Sequence, residues 1–331
     1  MPTPDFGLQD ARACHRMIRF LVGRLLSAIP TLFVVTLATF LILWLVPGDI
    51  SAEIGGIDAT PEDLAAIRER LGLDRPLYER ALLWYGNLLH GDLGYSYLLN
   101  RSVADAVLER LPVTLSLAGL ALVMATAIGV LLGILAAVRH NTWLDQGAMV
   151  AALIGLSIPD FWFGIVLIIL FGVQLGWFPT GGFVPINEDP LGWARCMALP
   201  AFTLAITQMG VIARMTRSSM LDVIKQDYVR TARAKGMRGR TVMFRHALGN
   251  AMVPIVTVVG VITGVLLSGA VVIEMVFSLP GVGRLIVGAI QRRDYPIIQG
   301  GLLVTACVFV FVNIVVDILY GVFDPRVRDG R

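Results

Sequence analysis

The chain has 331 residues, 56% of them apolar and only 15% charged, with a mean hydropathy of +0.75. A soluble domain carries about 45–50% apolar and about 25% charged residues, so this composition excludes an ordinary soluble globule and points to an integral membrane protein. A formal charge of +3 on a chain mostly buried in lipid gives no reason to expect a nucleic-acid partner, and Cys14, Cys196 and Cys307 are too isolated for a disulfide framework or a metal site.

A membrane-crossing helix needs about 20 largely apolar residues. Six stretches qualify, at 25–46, 113–138, 146–173, 196–212, 251–277 and 299–323. The first is too long for the apolar region of a secretory signal and has no small-residue cleavage site after it, so it reads as a span. The fourth is the weakest, being short and containing Pro200 and Gln208.

Six spans put both termini on one side, and basic residues in short loops say which. Arg12, Arg16, Arg19 and Arg24 precede the first span, seven basic residues lie between Lys225 and Arg245, and Arg326, Arg328 and Arg331 close the chain. These regions are expected in the cytoplasm. The organisation expected is therefore a cytoplasmic segment at 1–24, a first helix at 25–46, an extracytoplasmic loop at 47–112, a five-helix core at 113–323 that includes a cytoplasmic loop at 218–250, and a cytoplasmic tail at 324–331.

The 47–112 loop holds 11 of the 24 acidic residues and carries helix grammar of its own. Thr60, Pro61, Glu62 and Asp63 read as an N-cap, a proline at the first helical position and acids in the first turn, with Gly72 as the stop. A second helix is expected over 74–90, with Tyr78, Leu82, Tyr85 and Leu89 as its packing face. Ser102 caps a third that runs to Leu111. The whole reads as a solvated, partly helical cap open to a partner.

Within the second span, Ala121, Ala125, Gly129, Gly133 and Ala137 recur every four residues, as do Gly260, Gly264 and Ser268 in the fifth. Such ridges let helices approach closely where lipid supplies no hydrophobic drive. Packing within the chain, a subunit interface and a pore wall are all consistent with them. Polar groups inside spans are costly and face protein or a water-filled cavity. Asp160, beside the helix-breaking Pro159 in SIPDFWFG, is a candidate for the translocation pathway together with Ser157, and a structural cap is the competing reading. Gln208 and Asn313 line such a route or bond across helices. Glu274 and Asp317, near span ends, are expected as solvated carboxylates. PGVGR, after the fifth span, reads as a tight extracytoplasmic turn.

Catalytic and metal residues are not expected. The four histidines are scattered, with no HExxH and no GxSxG. No GxxxxGK[ST] loop is present, so this chain does not bind ATP by that route.

Residues 222–237 have helix-forming composition, with Ile224, Tyr228 and Ala232 spaced to share a face and Gly236 as the stop. Two readings stand: a docking element for a cytoplasmic partner, or a basic helix resting on anionic lipid. A family resemblance bears on the choice. RTARAKG followed by RHALGNAMVPIVT resembles the EAA-type motif of binding-protein-dependent ABC importer permeases, in the form of the peptide and nickel branch. Arg230 and Thr231 stand where the general motif has Glu and its first Ala, and Pro254 lies further beyond Gly236, as that branch also has them. MIRFLVGRLLSAIPTLFVVTLATFLILWLVPGD, LGLDRPLYERALLWYGNLLHGDLGYS, RMTRSSMLDVIKQD, FSLPGVGRLIVGAIQRRDYPIIQGG and NIVVDILYGVFDPRVR resemble the first membrane subunit of dipeptide permeases. The resemblance begins at Met17 and leaves Met1 to Arg16 outside it.

This resemblance implies an all-α, multi-pass protein of the bacterial inner membrane with the six-span fold of type I ABC importer permeases. It implies a homologous second permease subunit, two ABC ATPase subunits that bind ATP and Mg, an extracytoplasmic substrate-binding protein and a peptide substrate. It further implies that Asp227, Tyr228, Arg230, Thr231, Ala232, Ala234, Lys235 and Gly236 form a coupling helix received by one ATPase, while the chain holds no cofactor itself. The rival readings are an importer of nickel chelate or glutathione, a proton-driven secondary transporter, and an assembly subunit without a passage.

Overall fold

The structure, a computed structural model, describes residues 6–45, 50–56 and 58–323. Helix dominates, and the only sheet among the described residues is a two-stranded hairpin. Five helices are long and apolar enough to cross a membrane, or six if one bent pair is a single span. Packing divides the chain into two units, Met1–Thr114 with Pro280–Phe311, and Leu115–Leu279 with Val312–Arg331.

In the first unit, α1 (Phe6–Leu45) is one continuous helix, so the basic residues before the first span extend it instead of forming a separate arm. After the short α2 (Ile50–Gly55), α3 (Pro61–Leu71) starts at the expected N-cap, Thr60, which forms a reciprocal capping box with Asp63. Thr60 Oγ1 accepts from the Asp63 N–H at 3.2 Å, Asp63 Oδ2 accepts from the Thr60 N–H at 3.0 Å, and Gly72 closes the helix at φ 63°. The hydrogen bonds from Thr60 hold the Asp63 carboxyl below its usual pKa.

The helix α4 (Leu77–Leu89) forms, but not with the expected packing face: Tyr78, Leu82 and Leu89 are exposed. Of the four expected residues Tyr85 does pack, on Phe33 of α1 with ring centroids 5.9 Å apart and its hydroxyl 2.7 Å from Thr36 Oγ1, while Trp84, outside that set, meets Phe40 at 5.4 Å. Aromatic pairs are worth about 0.5–1.5 kcal/mol beyond burial, which turns the helix toward Trp84.

A hairpin of β1 (Tyr95–Ser96) and β2 (Arg101–Ser102) follows, with Tyr95 opposite Ser102. Ser102 caps α5 (Val103–Leu108), whose N-cap oxygen accepts from the Asp105 N–H at 3.0 Å; the helix stops at Leu108, short of the expected Leu111. PGVGR is not a turn: the turn lies before it, at Phe277 and Ser278, and Pro280 and Gly281 lead in as irregular chain. From there α13 (Val282–Arg292) begins, because Val282, Ile286 and Ala289 share a face that buries against Val103, Ala106 and Val107 of α5 and against Ile297 and Ile298 at the start of α14 (Tyr295–Phe323).

The second unit is built around α9 (Pro190–Ile224), which packs against α7 (Trp143–Ser157), α8 (Asp160–Leu167) and α12 (Gly249–Val276). The stretch expected as a straight span at 146–173 is bent by 102° between α7 and α8, and α8 continues as a π-helix over Ile168–Gln174. Pro159 is the cause, since a residue before proline is driven from the helical region. Ile158 is accordingly extended, at φ −88° and ψ 127°.

The small-residue ridge of α6 (Leu111–Val138) is packing within the chain. A Cβ on Gly133 would sit 2.6 Å from the Ala213 carbonyl oxygen, and one on Gly129 2.8 Å from Ile212 Cβ, so only glycine admits α9 this closely. Along α12 the ridge turns outward, from buried Gly260 to exposed Ser268. Glu274, expected in solvent, is fully buried, because α12 packs on α8 and α9 to its end. The side chain of Asp317 lies outside the described residues.

Candidate functional site

The helix expected over 222–237 is two helices. Ile224 ends α9, and α10 (Asp227–Ala234) begins after a break at Lys225 and Gln226. The Gln226 carbonyl accepts from the N–H groups of Val229 and Arg230, at 3.1 and 3.2 Å, which starts the new helix. Its inward face is therefore not Ile224, Tyr228 and Ala232. Val229 and Ala232 are buried with Val242, and Val223 of α9 packs against them. Ala232 thus fixes the helix to its support.

Asp227, Tyr228, Arg230, Thr231, Ala234, Lys235 and Gly236 are exposed. Tyr228 is tethered by its hydroxyl, which accepts from Asn250 Nδ2 at 3.0 Å. Thr231 Oγ1 donates to the Asp227 carbonyl at 2.9 Å, and Arg230 Nη1 lies 3.7 Å from Asp227 Oδ1. Gly236 ends the element at φ 76°, where the Met237 N–H reaches back to the Ala232 carbonyl at 3.3 Å. That left-handed residue is why glycine stands there. After α11 (Gly239–Thr241) the chain continues as a π-helix, Val242–Leu248, into α12.

A polar cluster absent from the sequence reading fixes α7 to α9 a few turns before α10. Asp145 is 2% exposed, and its carboxylate takes a two-pronged contact from Arg217: Nε donates to Oδ1, and Nη2 donates to Oδ2 at 2.8 Å. The Asn141 N–H donates to Oδ2 at 2.9 Å, and His140 Nδ1 lies 3.2 Å from the same oxygen. Such a forked pair sets distance and angle at once. Asp145 was visible as an acid just before a span, but Arg217 is 72 residues away and no local pattern joins them.

Of the candidate pathway residues, Asp160 is the first residue of α8 after the bend, and its Oδ1 accepts from Thr207 Oγ1 of α9, a partner the sequence reading missed. Ser157, on the other side of the bend, donates to the Leu153 carbonyl at 3.0 Å. Gln208 on α9 and Asn313 on α14 are both half-buried, and among the described residues no hydrogen bond joins either to Asp160.

Two family descriptions match the chain: "Binding-protein-dependent transport system inner membrane component" over residues 129–329, and the N-terminal membrane component of the same systems over 17–118. A Brucella abortus protein, provisionally named a peptide transport system permease, is 48% identical over 94% of this chain and 99% of its own length. The di/tripeptide transport system permease DppB of Pseudomonas aeruginosa is 43% identical, covering 95% of this chain and 100% of its own. The glutathione transport system permease GsiC of Escherichia coli is 42% identical, over 94% and 99%. Among solved structures, an inward-facing form of the MetNI methionine ABC transporter matches 66% of this chain and 96% of that one, with a TM-score of 0.54 at 16% identity. At that identity the likeness is one of fold.

Proposed function

This chain belongs to the family of binding-protein-dependent transport system inner membrane components, and from that premise we propose that it is a multi-pass permease subunit of an ATP-driven importer of di- or oligopeptides. The observation that carries the reading is similarity from end to end with relatives named for peptide permeases, at 43–48% identity. A homologous second permease subunit completes the passage, two ABC ATPases bind and hydrolyse ATP, and a substrate-binding protein delivers the peptide from outside. Both termini and the basic 225–245 stretch face the cytoplasm, as the positive-inside rule requires.

The exposed residues of α10, Asp227, Tyr228, Arg230, Thr231, Ala234, Lys235 and Gly236, form the contact with one ATPase. What supports this is an exposed polar face on a firmly seated helix: Val229 and Ala232 are buried beneath it. Closure of the ATPase dimer pushes α10, and the push passes through Val223 into α9. The Asp145–Arg217 fork carries it on to α7, and the bend at Ser157, Pro159 and Asp160 is the place where the two halves of that span change angle. Gln208 and Asn313 are assigned to the passage wall. A device of this kind works only if the ATPases contact α10 differently in their two states.

The test is reconstitution of the permease pair and ATPases in proteoliposomes, with binding protein outside and labelled dipeptide as substrate. Uptake should require ATP inside and binding protein outside. The bend at Asp160 is the one feature that favours a proton-driven carrier, whose discontinuous helices surround ionisable groups. Uptake by this chain alone, abolished by an uncoupler and indifferent to ATP, would replace the importer reading with that one. Competition between dipeptide and glutathione for uptake decides the substrate.

A further inference from the structure

The 47–112 segment is expected to be solvated throughout, yet its two longer helices expose different surfaces. Among its described side chains α3 exposes Glu62, Asp63 and Glu69 and no large apolar residue. The helix α4 exposes Tyr78, Leu82 and Leu89, the last two 69% and 88% accessible. These three are spaced four and seven apart, which sets them in one stripe along the helix. Arg80 and Asn87 stand on the opposite side, with Glu79 and Leu83 between the two faces. Arg80 is half-buried and within electrostatic reach of Tyr295 at the start of α14. The cation therefore faces protein, and the apolar stripe is left uncovered.

The depth of α4 follows from what it touches. Tyr85 stacks on Phe33 and Phe40 of α1, with ring centroids 5.9 and 6.2 Å apart and its hydroxyl 2.7 Å from Thr36 Oγ1, and Trp84 meets Phe40 from the side. Phe33 to Phe40 belong to the apolar stretch of α1, and the helix then runs on through Leu41, Ile42, Leu43, Trp44 and Leu45 without a polar residue. At 1.5 Å per residue this adds about 7 Å of apolar helix beyond the contact, so α4 lies level with the span and not above its end. Its 13 residues are too few to cross a bilayer core about 30 Å thick, and that length suits an interfacial or re-entrant segment. Asp74 and Arg75 precede it, and His90 and Asp92 follow, which returns both ends to the polar boundary.

We propose that α4 is a lipid-contacting helix, laid into the leaflet at the Leu45 end of α1 with Tyr78, Leu82 and Leu89 against acyl chains. On the orientation proposed above, this is the outer leaflet; the lipid contact itself rests only on α1 being a span. Two observations favour lipid over a second membrane subunit as the cover. The stripe is continuous with the exposed apolar side of α1: Phe33 is 53% exposed while it stacks on Tyr85, and Ile29, Val34, Leu37 and Leu41 are exposed as well. The side chains that join the two helices into this surface are also large. Helices that pack on one another in a membrane approach through small residues, as α6 does at Gly129 and Gly133. Tyrosine beside leucine is, moreover, the composition found where a bilayer meets water.

The experiment uses the full-length chain with its co-expressed subunits in phosphatidylcholine nanodiscs. Photolabelling of the wild type by phosphatidylcholine with a diazirine in its acyl chain, read by peptide mass spectrometry, should mark Leu77–Leu89 as strongly as α1 and leave Pro61–Leu71 unmarked. In a variant with Cys14, Cys196 and Cys307 replaced by serine, nitroxide labels on Leu82→Cys and Leu89→Cys report access of oxygen, which partitions into lipid, against chromium oxalate, which stays in water. Their ratio should match that of Val34→Cys on α1 and exceed that of Glu69→Cys on α3 several-fold. Chromium oxalate reaching Leu82→Cys and Leu89→Cys as readily as Glu69→Cys shows a solvated helix and overturns the proposal. Labels screened from both reagents, with α1 photolabelled and Leu77–Leu89 blank, assign the stripe to a second membrane subunit and overturn it as well. Neither readout requires transport, so a failure of ATP-driven uptake would sink the importer reading and leave this one standing.

Discussion

The helices α9 and α10 follow one another in the chain with only Lys225 and Gln226 between them, yet they are built on opposite terms. In α9, 61% of the most apolar stretch is buried inside the protein, against 22% in α1, although the two have nearly the same hydropathy. Its buried residues include Thr203, Thr216, Ser219 and Pro200, besides alanines and methionines. Among the described side chains of α10 only Val229 and Ala232 are buried, and Asp227, Tyr228, Arg230 and Thr231 face outward. In a membrane protein, apolarity measures exposure to lipid, so the most enclosed helix need not be the most apolar. What marks it is small side chains, which allow close approach. A helix that awaits a partner keeps a polar face and spends a minimum of apolar residues on its seat.

Substitutions should therefore act on folding in α9 and its neighbours, and on coupling in α10. The largest effect is expected at Gly133, where a Cβ would lie 2.5 Å from Thr216 Cβ and 2.6 Å from the Ala213 carbonyl oxygen. Overpacking costs about 1–3 kcal/mol where a core can yield; backbone cannot yield here, so Gly133→Leu should prevent a monodisperse complex, as size-exclusion chromatography would record.

Next comes the Asp145–Arg217 fork. Removing one partner of a buried pair costs about 3–5 kcal/mol, and with the Arg217 side chain 24% exposed the lower end applies. Asp145→Ala and Arg217→Ala should each lower the thermal midpoint more than Asp145→Asn combined with Arg217→Met. If the double variant lost the sum of both, the fork would not be a coupled unit.

Gly236→Val places a β-branched residue at φ 76°, a left-handed conformation costing about 1–2 kcal/mol. Local fraying should follow, read by hydrogen exchange at Ala234 and Lys235, together with a reduced ratio of peptide transported to ATP hydrolysed. Normal uptake with an undisturbed ATPase contact would argue against the coupling role. The smallest effect on stability is expected at exposed Arg230, where surface substitutions stay within about 0.5 kcal/mol. Arg230→Glu should leave the melting curve in place while weakening the ATPase contact in a crosslinking assay. A large loss of stability there would break the contrast between the two helices.

What was legible in the sequence is what neighbours along the chain decide. The Thr60 cap, the Gly72 and Gly236 stops and the Ser102 cap depend on atoms a few residues apart, and all were read from composition and spacing. The ridge at Gly129 and Gly133 was legible as a ridge, but its partner, Ile212 to Thr216, was not. Pro159 was recognised as a breaker while its span was still taken as straight, because a proline announces a bend and its angle depends on what α8 packs against. The packing face of α4, the helix after Gly281, the burial of Glu274 and the split between α9 and α10 were misread for a common reason. Each depends on a contact with an element far away in sequence, such as Phe33 and Phe40 for α4 or Val103 and Val107 for α13.

By itself, then, the sequence determined that the chain is a membrane protein of apolar helices, where its local stops and caps fall, and, through ordered motifs along its length, which family it belongs to. Only the tertiary structure decided which residues meet: Arg217 with Asp145 across 72 positions, Thr207 with Asp160, Tyr85 with Thr36. The reason is one of range. Backbone hydrogen bonding and helix termination act within about one turn, and hydropathy sums over a window, so both are written locally. A forked ion pair or a shared cleft requires side chains brought together by packing, and that information resides in the fold.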